Sequence, residues 1–133
     1  MMTTYGEYLN MERRLAFTEM RDIHSQMLAD IGTDADAKEM YEELTAAATK
    51  YAGIRAEWLL LSREEKAERD GRRTSCHDSL IVKFNMLARY LKMQGKAATW
   101  RDCLGDEEDN PYNRKRIGDF ACYIVFVNSL NAR

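Results

Sequence analysis

Residues 35–62 read ADAKEMYEELTAAATKYAGIRAEWLLLS. Ala37, Met40, Tyr41, Leu44, Ala47, Ala48, Tyr51, Trp58 and Leu59 recur at helical spacing, which places them on one face of a helix. The segment opens at Thr33 or Asp34, where Asp36 suits the positive end of the helix dipole. It closes on Leu59-Leu60-Leu61. Ala46 to Ala48 form a strip of small side chains that lets another helix approach closely. A helix with one apolar stripe must bury it against further helices or a sheet.

The flanking sequence points to helices. Upstream, Ala16, Phe17, Met20, Ile23, His24, Met27, Leu28 and Ile31 share one face, so a first helix is expected from about Thr4 to Ile31. Thr4 and Glu7 fit a capping box, and Gly32 ends the helix because glycine adopts the left-handed conformation at low cost. Downstream, Ser62-Arg63-Glu64-Glu65 is a second capping box. The polar stretch that follows pairs Glu65 with Arg69 and Glu68 with Arg72, four apart in the favourable order. The turn between helices two and three therefore lies either at Ser62 or at Asp70-Gly71.

From Ser75 an apolar stripe returns through His77, Leu80, Ile81, Phe84, Leu87, Ala88 and Leu91, with Gly95 as its stop. Thr99 to Leu104 suits a short helical turn. Gly105 to Asn113 reads as a loop, acidic and carrying the turn signal Asn110-Pro111. A last helix starts near Asn113 or Arg114. Its residues Ile117, Phe120, Ala121, Ile124 and Val127, flanked by Tyr123, Phe126 and Leu130, predict a centrally packed element.

Composition agrees with that reading. The 133 residues hold 45% apolar and 32% charged side chains, one proline and seven glycines. A β-sandwich would need many more turn residues. The expectation is one all-α domain over residues 1–133, an antiparallel four-helix bundle with three long helices and one shorter C-terminal helix. No apolar run approaches the roughly 20 residues that span a bilayer, so no membrane association is expected. Met1 to Asn10 lacks the pattern of a secretory signal. Cys76, Cys103 and Cys122 are odd in number and irregularly spaced, unlike a disulfide framework, and a reducing cytoplasm is the simplest compartment.

Charge is uneven. Residues 1–62 hold 6 Lys/Arg and 11 Asp/Glu, a net of −5; residues 63–133 hold 14 and 11, a net of +3; together they give the overall −2. The two halves are suited to attract each other within one bundle or between two copies.

Catalytic chemistry finds little support. Cys76, His77 and Asp78 are consecutive on a helix, so they point about 100° apart and cannot converge on one reacting atom. His77 lies on the core stripe four residues from Arg73, as a hydrogen-bonded histidine at a core edge would. The cysteines with His24 and His77 form no Cys-x-x-Cys or His-x-x-x-His pair, so no metal is expected. Neither a glycine-rich phosphate loop nor a Gly-x-Ser-x-Gly elbow is present, and no cofactor is expected. Arg73, His77, Asp78, Asn85 and Arg89 remain as a candidate polar pocket or interface beside the stripe. Basic residues cluster at Arg72-Arg73, at Lys92, Lys96 and Arg101, and at Arg114-Lys115-Arg116 after Tyr112, a pattern with some suitability for nucleic acid. The adjacent acidic loop counts against it.

The run Arg73-x-x-x-His77-Asp78-x-Leu80-Ile81-x-x-x-Asn85-x-Leu87-x-Arg89, with the later Arg116-Ile117-Gly118-Asp119-Phe120-Ala121, resembles a small bacterial helical family of unknown function. The resemblance covers the second half of the chain. It implies an all-helical bacterial protein and supplies no activity. The functional expectation is a non-enzymatic interaction module that binds another protein or itself, as a homodimer. A nucleic-acid accessory protein using the basic second half is the alternative. A small-molecule pocket near His77 and Asp78 is the third.

Overall fold

In the computed structural model the described residues are 15–105 and 113–131, and the side chains of 113–115 lie outside that description. Among them are five helices and no strand: α1 Phe17–Ile31, α2 Ala35–Trp58, α3 Arg63–Met93, α4 Thr99–Cys103 and α5 Asn113–Asn131. The all-helical expectation is met, with two corrections to its layout. The helix that ends at Ile31 begins at Phe17, because Ala16 is extended (φ −75°, ψ 156°) and donates its amide to Glu19 Oε1. The expected cap at Thr4 and Glu7 lies outside the described residues. The C-terminal helix is not the short one either: α5 has 19 residues and α1 has 15, while the five-residue α4 is the short element.

Local chemistry sets the boundaries. Gly32 takes φ +52° and returns its amide to the Leu28 carbonyl. Asp34 caps α2 by accepting from the amides of Asp36 (3.0 Å) and Ala37 (3.1 Å), and Tyr90 donates its hydroxyl to the same carboxylate at 2.9 Å. These donors, the Ala37 amide first, hold the Asp34 carboxyl below its ordinary range. The turn between α2 and α3 is at Ser62. Glu65 donates its amide to Ser62 Oγ, and Ser62 donates its amide to Glu65 Oε1 at 3.0 Å, a reciprocal capping box. Gly71 lies inside α3.

α2 packs chiefly on α3 and α5. Its contacts with α3 proceed from Asp34–Tyr90 through Glu43–Lys83 and Tyr51–His77 to Trp58–Arg73. Leu44, Phe84, Trp100, Phe120 and Ile124 are fully buried at the centre. Phe84 meets Phe120 at 5.8 Å and Trp100 at 6.4 Å between ring centres, so α3, α4 and α5 share one aromatic contact. Ala98 places Trp100 there from a left-handed backbone (φ +50°), and its amide donates to Asp30 Oδ2. α1 is fixed from inside by His24, whose Nε2 is 2.8 Å from the Tyr41 hydroxyl and whose ring packs edge-on to Phe120 and Tyr123.

Candidate functional site

An open apolar groove of about 810 Å³ is lined by the start of α1, the end of α2 and α5. One wall is Leu15, Phe17 and Met20 before and on α1. The other is Ala52, Ala56 and Leu59 at the end of α2, where the alanines leave room. Tyr123 and Phe126 of α5 form the floor. Phe17 leans edge-on against Tyr123, with ring centres 5.4 Å apart, yet Phe17 remains 58% exposed, Phe126 54% and Leu59 84%. These large, exposed apolar side chains are gathered around one concavity.

The groove has one polar edge. Arg55 donates to Asp119 Oδ1 at 2.9 Å and lies 3.9 Å from Cys122 Sγ. Asp119 is only 10% exposed at its side chain and Arg55 36%. Burial, the largest single influence, works against the Arg55 charge, but the hydrogen bond to Asp119 and the attraction of Cys122, Tyr51 and Asp119 together outweigh it and hold the guanidinium pKa above its ordinary value. Burial also pushes the Cys122 thiol up, with Arg55 pulling partly the other way. A thiol so placed is a poor nucleophile at neutral pH. Tyr51 lies behind the pair, its phenol likewise pushed up by burial. It packs edge-on to His77 at 5.3 Å.

Gly118 makes this junction possible. A Cβ there would meet the Tyr51 hydroxyl at 2.7 Å and Arg55 Nη1 at 3.2 Å. α5 can approach α2 this closely only because residue 118 has no side chain.

The residues singled out in the sequence do not converge on one pocket. Arg73 stacks over Trp58 at 4.4 Å, and His77, 7% exposed, faces Tyr51. Asn85 accepts from Arg101 Nε at 2.8 Å and so belongs to the α3–α4 contact. Asp78 and Arg89 are exposed on α3. Among the described residues no group of three His, Cys, Asp or Glu is arranged to hold a metal ion, and no described helix is long and apolar enough to cross a membrane.

Of the aromatic residues of α2, Tyr51 is buried, Tyr41 is half-buried against His24 and Trp58 is half-buried with Arg73 over its ring. The sequence reading missed Arg55, although it carried a signal. Arg55 stands one turn after Tyr51 on the apolar stripe, where an ordinary core helix has no cation. Compared with protein-family models, curated proteins and solved structures, the chain matches none of them.

Proposed function

We propose that this chain is a non-enzymatic helical module that self-associates through the α1–α2–α5 groove. The observation that carries the reading is that groove, ringed by exposed Phe17, Leu59 and Phe126. The occupant argued for is a second copy. Leu60, 86% exposed, projects at the turn directly after Leu59 of the groove wall. One surface thus carries an apolar cavity and an apolar projection side by side. Two copies related by a two-fold axis bury both, each projection entering the other's groove. The acidic first half and basic second half add attraction between copies that salt weakens.

The finer architecture belongs to the same proposal: an antiparallel bundle of α1, α2, α3 and α5, with α4 closing one side. The opposing order of the α2–α3 contacts supports it. Placement in a bacterial helical family and in the cytoplasm is proposed likewise, on the Arg73–Arg89 run and on three cysteines that form no disulfide. Nucleic-acid association is the second reading. Arg101 donates to Asn85 and the Gly105 carbonyl, and Arg116 to the Cys103 carbonyl, so among the described residues this reading draws mainly on Arg72, Lys92 and Lys96. A ligand pocket at His77 and Asp78 has little surface to offer, since Tyr51 covers the His77 ring.

Sedimentation velocity across a dilution series tests the proposal. The wild-type protein should form a dimer that loosens with salt, and Phe126→Glu, an exposed change, should give a folded monomer. A wild-type monomer at every concentration refutes it.

A further inference from the structure

A second cavity, of about 250 Å³, lies between the end of α2 and the start of α3. On the α3 side no residue before His77 is buried. Core packing therefore does not explain which α3 residues line it. Lys50 and Trp58 come from α2, Arg69 and Arg72 from α3, and Glu57 is the one carboxylate of the lining. Arg69 reaches Glu57 at 4.0 Å. Three cations against one carboxylate leave a local charge of two positive units. The Arg73 guanidinium over Trp58 steadies the indole and adds positive charge beside the opening.

Gly53 is the second observation. It lies inside α2, where glycine weakens a helix relative to alanine. A Cβ there would meet nothing within 4 Å, and its φ is not positive. Neither close packing nor backbone conformation calls for glycine. What its missing side chain does is keep one wall of this cavity open.

We propose that the cavity binds a small organic phosphate. The phosphate lies between Lys50 and Arg72 with Arg69 beside it, and the organic part rests on Trp58. A phosphate monoester carries about −1.5 to −2 at neutral pH, which matches the local excess of positive charge. The volume falls just under the roughly 300–1,000 Å³ of ordinary ligand pockets, so the ligand is of monophosphate size.

Tryptophan fluorescence tests this directly. Of the two tryptophans, Trp100 is fully buried, so a ligand response reports on Trp58. AMP and phenyl phosphate should give saturable changes, and adenosine and phenol should not. Arg72→Ala should weaken AMP about ten- to a hundred-fold, as loss of one charge-assisted bond does. Gly53→Leu fills the cavity and should abolish binding. Gly71→Leu, at a helical glycine that also meets nothing but does not line the cavity, should leave binding unchanged. Circular dichroism of each variant separates lost binding from lost folding. Three results each overturn the proposal: no saturable response to either phosphate at millimolar concentration, equal affinity for adenosine, or AMP binding indifferent to Gly53→Leu. A short single-stranded DNA that binds through Arg72 but ignores Gly53→Leu assigns these cations to an open basic surface and also overturns it.

Discussion

Replacing Gly118 with alanine tests how closely α5 approaches α2. The new methyl would stand 2.7 Å from the Tyr51 hydroxyl, 3.2 Å from Arg55 Nη1 and 3.3 Å from Tyr51 Cε2. Comfortable contact needs about 3.5–4.0 Å. Arg55 has a flexible side chain, but Asp119 holds it at 2.9 Å. Tyr51 is a rigid ring, 9% exposed and packed on His77, so it cannot swing aside without disturbing that contact. Overpacking of this kind costs about 1–3 kcal/mol. Against it, alanine in place of a helical glycine returns up to about 1 kcal/mol. Gly118→Ala should therefore destabilise the protein by about 0–2 kcal/mol, where an exposed helical glycine would show a gain. Tyr51→Phe removes the atom at 2.7 Å. In that background the same alanine should be neutral or stabilising by up to about 1 kcal/mol. Urea denaturation of the four proteins measures the coupling, expected at about 1–3 kcal/mol. Two substitutions that add within about 0.5 kcal/mol would show that the Tyr51 hydroxyl does not crowd residue 118.

Acid should act on α1 through His24. Burial among Tyr41, Phe120 and Tyr123 lowers its pKa from 6.5, so the folded protein refuses a proton that the unfolded chain accepts. The stabilisation is complete above pH 6.5 and declines as pH falls from there to the lowered folded value. His24→Gln should lose less stability than wild type between about pH 7.5 and 5.5; equal losses in urea melts would contradict the burial argument. Thiol labelling of native protein should modify exposed Cys103 first and half-buried Cys122 last, because burial raises the Cys122 pKa. Labelling of Cys122 ahead of Cys103 would place the groove's polar edge in open solvent.

Much of the fold was legible in the sequence because it depends on interactions a few residues long. Leu44, Phe84 and Ile124 stand mid-stripe and are fully buried. Asp34, Ser62 and Gly32 mark helix ends through bonds reaching three or four residues, and such bonds follow from local order alone. The start of α1 escaped this reading because its apolar periodicity runs on through Ala16, which the folded chain holds extended.

The remaining features depend on partners far along the chain. The capping box at Ser62 left Asp70-Gly71 open as an alternative turn; Tyr51 meeting His77 and Trp58 meeting Arg73 are contacts that a turn at Ser62 brings into register. Leu59 and Leu60 continue an apolar stripe, yet they stand in the open beyond the point where neighbouring helices cover it. Arg55 and Asp119 are 64 residues apart, and their pairing depends on the narrow α2–α5 junction at Gly118. Helical periodicity determines which side chains share a face; which face another helix covers, and how closely, depends on the mutual packing of all the helices.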